Sequence, residues 1–543
     1  MGEFVASETG LTWRGKGQTL EITGWGPDSL RVRATPNRTF AAAPSALVSD
    51  QGTAARVETR DGGAVVRSGM LEARVSPYGR IRFFREGSAE AILEETDWTP
   101  WAPPLHPEAR EFRAVGGDLY HVEARFGASA GERFYGLGQH KHGLLDQKGA
   151  VIDLVQRNAE VCIPFLVSSR GYGVLWNHPG VGRVELGANV TRWVANGSRQ
   201  VDYLVVTGAS FAAIMERYAD ATGHAPPLPA WAAGFWQSKL RYSSQEELLG
   251  VAREFRRRDL PLAVIVVDFF HWTRHGEWKW DPVRWPDPAA MVRELDALGV
   301  RVMVSIWPTV NPRAATAAEM RERGLLVGTE RGSDLLYPFM EIGEKRPTSL
   351  HYYDSTNPEA RAYIWNRVKS SYHDKGISAY WLDACEPEMH PTDPENLRFH
   401  AGAGVEVACL YPWAHQQAFY QGMRAAGRQD VLNLSRSAWA GSQRWGAAVW
   451  SGDIRSDWAS LRAQVRAGLN MGMSGIPWWT TDIGGFYGGN IEDPAFRELL
   501  IRWFQWGVFC PLFRLHGSRD PVQAEVAGCT DCPPSGAANE PWS

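Results

Sequence analysis

The sequence predicts an α/β protein in which a (β/α)8 TIM barrel follows an antiparallel β-sandwich. Three observations carry that expectation. Residues 1–207 read as short strands punctuated by turns, with no helix of useful length between them. After Pro229 the rhythm changes to strand, loop, helix, repeated about eight times. The ends of those later strands carry polar or aromatic residues where apolar runs stop, as the active face of such a barrel requires.

In the first half, Thr19–Thr23 and Leu30–Arg33 alternate around Gly26-Pro27-Asp28, and Val161–Ser168, Gly171–Trp176 and Val201–Val206 continue the pattern. A domain over 1–207 follows, of a size usual for a sandwich. Ser210–Thr222 reads as a helix leading into Pro226-Pro227-Leu228-Pro229, so 208–229 is expected to be a stiff linker.

The barrel is expected over 230–543. Ala233–Ser238 precedes a helix whose Leu248, Val251, Ala252 and Phe255 share a face. Ala263–Phe270 is a continuous apolar run, as a strand buried on both sides requires. A helix with Met291, Val292, Leu295 and Leu298 on one side leads to Val300–Trp307. Further strands are predicted at Ser378–Asp383, Val431–Ser437, Ala448–Asp453, Gly475–Asp482 and Cys510–His516. Two long loops, 308–376 and 386–430, are placed to shape the mouth, the second with a helix around Ala418–Arg424. Beyond His516 the Gly/Pro/Ser-rich tail offers no helix, so the barrel is expected to be truncated after its eighth strand.

Composition narrows the function. The net charge of −4 and the lack of any long Lys/Arg run speak against nucleic acid or an anionic membrane as partner. The N-terminal MGEFVASETG has neither a basic nor an apolar signal region, and no apolar span of about 18 residues occurs, so a soluble, cytoplasmic protein is expected. Cys162, Cys385, Cys409, Cys510, Cys529 and Cys532 are scattered and read as free thiols. The single Cys529-x-x-Cys532 lacks the second pair that a zinc site needs, and His271 and His275 lack companion ligands, so neither metal nor cofactor is expected. With 25 Trp, many beside carboxylates as in Trp278-Lys279-Trp280-Asp281, the expected partner is a small neutral carbohydrate. Oligomeric state is not written in these patterns.

The stretch SAYWLDACEPEMHP, Ser378–Pro391, delivers Asp383, Glu386 and Glu388 where a buried strand ends. Burying an unpaired carboxylate costs several kcal/mol or forces a large pKa shift, so such a cluster pairs, neutralises or does chemistry. Asp268, Trp307, Asp383, Arg436, Asp453, Asp482 and His516 each lie near the end of their own strand. Glycoside hydrolysis needs two carboxyl groups, one at the anomeric carbon and one protonating the leaving oxygen. Asp383, with Arg436 nearby, is the candidate nucleophile. Asp453, after Trp450-Ser451-Gly452, is the candidate acid/base, its pKa expected to be raised by apolar surroundings. Either aspartate taken singly also fits a strand-end ion pair.

These residues resemble glycoside hydrolase family 31, the retaining α-glycosidases. The likeness lies in Trp381-Leu382-Asp383-Ala384-Cys385-Glu386, Trp450-Ser451-Gly452-Asp453, Ser435-Arg436-Ser437-Ala438-Trp439, Thr481-Asp482-Ile483-Gly484-Gly485-Phe486 and Arg514-Leu515-His516-Gly517. It extends to Phe134-Tyr135-Gly136-Leu137-Gly138-Gln139 and Asn177-His178-Pro179 in the first half. The resemblance implies a covalent glycosyl ester on Asp383, with Asp453 as acid and then base. It also implies sugar contacts from Asp268, Arg436 and His516, with Asp482 in the binding set, and a pocket walled by Trp307, Trp381, Trp450 and Phe486. Phe270 falls where the family's α-xylosidases carry an aromatic that fills the space of a C6 hydroxymethyl. An exo-acting α-xylosidase is therefore expected, with α-glucosidase, α-galactosidase or an inactive carbohydrate-binding fragment as alternatives. Two departures stand out: Asn158 follows Arg157 where relatives often have Asp, and the C-terminal β-domains usual in the family are expected to be absent.

Overall fold

The computed structural model describes residues 2–60, 62–97, 108–332, 335, 337–344, 346–388, 394–523 and 535–543. The N-terminal half is antiparallel. An eight-stranded sheet runs from Glu3–Ala6 to Phe134–Gln139 in space, a five-stranded sheet contains Leu119–Gly127 and Val190–Ser198, and a five-stranded meander spans Arg56–Glu94. Alternating inward residues make one apolar core from these sheets, with Trp13, Trp176, Trp193 and Tyr203 buried in it. Ser210 then caps the helix Phe211–Thr222, its hydroxyl accepting from the Ala213 N–H.

Eight parallel strands build the barrel. In spatial order they are Trp479–Thr480, Ala447–Trp450, Asn433–Ser435, Ala379–Leu382, Arg301–Ile306, Val264–Val267, Phe235–Gln237 and Phe513–Leu515. The two ends of this sheet meet through a parallel bridge between Ile483 and Leu515 and a Leu512 N–H to Trp479 carbonyl bond of 3.2 Å, which nearly closes the ring. Val264, Val266, Met303, Ala379 and Leu434 pack in one cluster with Trp236, Trp381 and Trp450. That packing leaves strand ends, not a channel, as the place for chemistry.

Segment 308–376 is not one long loop. It contains a short helix, Ala317–Glu322, a small sheet, and the helix Pro358–Ser371, started by the Asn357 side chain accepting from the Glu359 N–H with Pro358 in the first turn. Segment 386–430 holds the helix Leu410–Ala425, longer than the sequence pattern marks. No helix follows His516 among the described residues, whose tail instead forms short strands. Ser518–Gln523 runs parallel to Tyr487–Asn490, Ser535–Ala537 returns beside it, and Trp542 packs edge-on against Phe255 at 4.7 Å. Cys529 and Cys532 lie outside the described residues; Cys162, Cys385, Cys409 and Cys510 are free thiols. No described helix is long and apolar enough to cross a membrane.

Candidate active site

The fourth barrel strand, Ala379–Leu382, is entirely buried and hands over to Asp383 at the barrel mouth. Ala384 then takes a left-handed backbone, φ 53°, and its N–H donates to Asp383 Oδ1 at 2.8 Å. Phe270, two residues after Asp268, is likewise left-handed at φ 68°. Such backbone costs about 1–3 kcal/mol at a residue with a Cβ and persists where surrounding packing holds it. Both positions turn the chain sharply beside an acid.

Arg436, the first residue after the next strand, Asn433–Ser435, organises the acids. Its Nε and Nη2 bond Glu386 at 2.6 and 3.1 Å. Its Nη1 lies 3.2 Å from Asp383 Oδ1 and 3.7 Å from Asp453 Oδ2, and its Nη2 lies 3.8 Å from Glu388 Oε2. One guanidinium nitrogen therefore touches both candidate catalytic carboxylates. Their facing oxygens can be no farther apart than those two distances laid end to end, which reaches only the lower edge of the inverting range (about 6.5–9.5 Å) and encloses the retaining one (about 5–5.5 Å). Burial pushes Glu386 up to about 7 against the pull of Arg436.

Asp453 stands on the turn after Ala447–Trp450, its side chain 19% exposed towards the mouth. Burial raises its pKa and Arg436 opposes the rise. Gly452 is left-handed at φ 67°, and a Cβ there would lie 2.5 Å from the Ala159 nitrogen, so only glycine lets the sandwich approach. What approaches is the turn Arg157–Glu160. The Asn158 amide donates to Asp453 Oδ2 at 2.6 Å, and its Oδ1 accepts from the Asp453 N–H at 3.0 Å. Asp-for-Asn at 158 would have set two carboxylates face to face; the carboxamide makes the contact instead.

Two aromatic groups flank the acids. Trp381 meets Trp450 at 5.4 Å and His516 at 5.1 Å, both edge-on, and Phe486 stacks on His516 at 5.5 Å. On the other side Phe269 contacts Phe270 at 4.8 Å and Trp307 at 4.7 Å, with Arg241 4.3 Å above the Phe269 ring and 4.9 Å above Phe270. The indole N–H groups of Trp307, Trp381 and Trp450 have no hydrogen-bond partner among the described residues. They are therefore free to donate to hydroxyls.

Asp268 and His516 approach each other between these groups, Oδ2 to Nε2 at 3.8 Å. Burial holds the imidazole well below its usual pKa, so it is neutral, and its Nδ1 is shared with the Ser238 hydroxyl at 2.8 Å. Burial also pushes Asp268 up to about 8, with Arg241 pulling the other way. Asp482 sits deeper, fully buried and paired with Arg514, whose guanidinium stacks on Trp381 at 4.6 Å and Trp450 at 5.6 Å. Its Oδ1 is occupied by that pair, while its Oδ2 is buried with no hydrogen-bond partner among the described residues.

Beside the acids opens a cleft of about 540 Å³ lined by Glu386, Glu388, Tyr337, Gln156 and Arg157. The arrangement offers two carboxyl groups bridged by a cation, neutral and charged hydrogen-bonding groups, and flat apolar walls. Sequence reasoning missed Arg241 and Arg514 as members of the cluster, and it marked Asn158 only as a departure from the family pattern, without a role. Arg514 had a signal, since it opens the same Arg514-Leu515-His516-Gly517 segment as His516.

Residues 225–533 match the Glycosyl hydrolases family 31 TIM-barrel domain, and residues 19–185 the Glycosyl hydrolase 31 N-terminal galactose mutarotase-like domain. The chain is 44% identical over 536 residues, covering 96% of itself and 100% of the relative, to "Uncharacterized family 31 glucosidase ORF2" of Pseudescherichia vulneris. It is 41% identical over 425 residues to an alpha-xylosidase of Saccharolobus solfataricus, covering 74% of itself and 55% of that protein. Among solved structures it is similar, with TM-score 0.94 and 46% identity, to a GH31 alpha-xylosidase from a soil metagenome complexed with xylose, covering 99% of this chain and 81% of that one.

Proposed function

The chain belongs to glycoside hydrolase family 31 and is a glycoside hydrolase, and from that premise we propose that it is a retaining, exo-acting α-xylosidase. The observation that carries the retaining reading is the single Arg436 nitrogen in contact with both Asp383 and Asp453. In the first displacement an Asp383 oxygen attacks the anomeric carbon while Asp453 gives its proton to the departing glycosidic oxygen, so a glycosyl ester forms and the aglycone leaves as an alcohol. In the second, Asp453 takes a proton from water, whose oxygen displaces Asp383 and returns the original anomeric configuration. The carboxyl of Asp453 must hold a proton in one step and release it in the next, which the raised pKa supports.

Asp268, His516, Trp307, Trp381, Trp450 and Phe486 would hold the sugar in the cleavage subsite. Phe270 supports xylose over glucose, because a ring beside Asp268 occupies ground that a C6 hydroxymethyl needs. The xylosidase names of relatives in Saccharolobus solfataricus and in the soil metagenome point the same way, while the glucosidase name of the Pseudescherichia vulneris relative favours the second reading, α-glucosidase.

The test compares kcat/KM on 4-nitrophenyl α-xyloside, α-glucoside and α-galactoside, and follows the anomer first released by proton NMR. Xyloside preference with α-xylose appearing first is expected. A large glucoside or galactoside preference ends the xylosidase reading, and first release of the β anomer ends the retaining mechanism. Turnover that survives in Asp383→Ala removes Asp383 as nucleophile, and binding without turnover in the wild type leaves a carbohydrate-binding protein.

A further inference from the structure

We propose that Asn158, a residue of the sandwich, is a positioning residue for Asp453: its carboxamide holds the Asp453 carboxyl in the orientation from which it serves as acid and then as base. The inference rests on the acid/base reading of Asp453.

The contact is reciprocal and closes a ring. Asn158 Oδ1 accepts from the Asp453 backbone N–H at 3.0 Å, and Asn158 Nδ2 donates to Asp453 Oδ2 at 2.6 Å. Because a backbone N–H can only donate, the amide has one possible sense, with its NH₂ towards the carboxyl. An NH₂ cannot take a proton bond from Oδ2. Oδ2 therefore remains the acceptor in both protonation states, and the mobile proton belongs on Oδ1. One amide thus fixes both the side-chain angle of Asp453 and the oxygen that delivers the proton.

The turn that carries Asn158 is itself fixed. Arg157 and Glu160 exchange two backbone hydrogen bonds of 3.0 Å, Ala159 is left-handed at φ 64° and buried, and the Asn158 N–H donates to Glu388 Oε1 at 2.5 Å. Gln139, from the sandwich strand Phe134–Gln139, donates to the Trp450 carbonyl at 2.9 Å and accepts from the Trp479 indole at 2.7 Å, so the sandwich also holds the C-terminal end of the strand from which Asp453 hangs. The charged and titratable groups around Asp453 are Arg436, Asp383, Glu388, Asp482 and Tyr487. Of these only Arg436 is cationic. Asn158 adds a neutral donor to a carboxyl otherwise surrounded by acids, and that donor favours the ionised form required of a base.

Asn158→Asp and Asn158→Ala in the full chain test this, on whichever aryl α-glycoside the wild type turns over, with 4-nitrophenol and phenol as leaving groups and kcat/KM measured against pH. Phenol needs the proton far more than 4-nitrophenol does. Both variants are expected to lose about tenfold more on the phenyl than on the nitrophenyl substrate. Asn158→Asp, nearly isosteric, is also expected to move the high-pH limb upward by about one unit, because it sets a second carboxyl against the first. Equal losses on both leaving groups with an unmoved limb, or no loss at all, overturn the inference. Asp453→Ala is the control: if azide fails to restore its turnover, the acid/base reading falls and this inference with it, whereas azide rescue beside inert Asn158 variants sinks the inference alone.

Discussion

Arg436 grips Glu386 through a forked pair of hydrogen bonds, Nε to Oε1 at 2.6 Å and Nη2 to Oε2 at 3.1 Å, with both side chains buried. A fork of this kind fixes a plane as well as a distance. The plane it fixes aims Nη1 at Asp383 and Asp453, so Glu386 sets where the cation sits between two groups it does not touch.

Replacing Glu386 by Gln should therefore impair chemistry before it impairs folding. Gln keeps one acceptor and loses the charge, so the guanidinium can swing towards Asp383. Misplacing a reacting group by about 1 Å costs on the order of 10²-fold, and a fall of that size in kcat/KM is expected for Glu386→Gln, with a melting point close to wild type. Unchanged kcat/KM would show that Arg436 holds its place without the fork.

Asp268 makes a prediction about stability and pH. Burial pushes its pKa up to about 8 in the folded chain, against an ordinary value of 3.8. Between those values the folded form keeps a proton that the unfolded chain has released, so this group's contribution is full below about pH 4 and is lost as pH rises towards 8. The melting temperature should fall from pH 5 to pH 8, and Asp268→Asn, which cannot ionise, should show a smaller fall. An equal fall in both proteins would assign the pH dependence to other groups.

The buried pair of Asp482 and Arg514 should matter most when half of it is removed. Arg514→Ala leaves the Asp482 carboxylate without its cation and unstacks Trp381 and Trp450. A loss of about 3–5 kcal/mol is usual when one partner of a buried pair is deleted, whereas replacing both by well-packed apolar residues is often neutral. Unfolding of Arg514→Ala should come well before that of Arg514→Met/Asp482→Leu. If the double variant is the weaker, the pair is itself a net source of stability.

How much of this was legible beforehand follows from which interactions leave a pattern in sequence. Val264–Val267 and the Val302–Val304 run within Arg301–Ile306 announce themselves because a parallel strand buried on both faces is mostly apolar. Asp383, Asp453, Asp268 and His516 were visible because each interrupts such a run. Pro358–Ser371 was hidden: Ala360, Tyr363, Ile364, Trp365 and Val368 are buried on more than one side, which blurs the helical stripe, although Asn357-Pro358 marked its start. Asn158 was marked only through the family resemblance, and its role was hidden for a different reason. Its partner is 295 residues away, and an amide closing a ring on one aspartate has no local periodicity to betray it.

Phe270 bears on specificity, and the size of its effect is bounded. The ring is 3% exposed, held by the left-handed backbone at its own position and pressed between Phe269, Trp272 and the Arg241 guanidinium. Cutting it to Ala opens space beside Asp268 for a hydroxymethyl group. A pocket that discriminates by fit alone over one such group supplies only about 1–3 kcal/mol, roughly 10–200-fold. The ratio of kcat/KM for 4-nitrophenyl α-glucoside over α-xyloside should accordingly rise by about that range in Phe270→Ala, chiefly through the glucoside. Part of the gain will be offset where Arg241 loses an aromatic face and the neighbouring rings settle inward. Phe270→Leu, which keeps bulk but not the ring, separates the two effects: an intermediate ratio follows from steric exclusion, while a ratio equal to that of Ala would mean the aromatic face itself selects. A ratio that does not move in either variant removes Phe270 from the specificity of this enzyme.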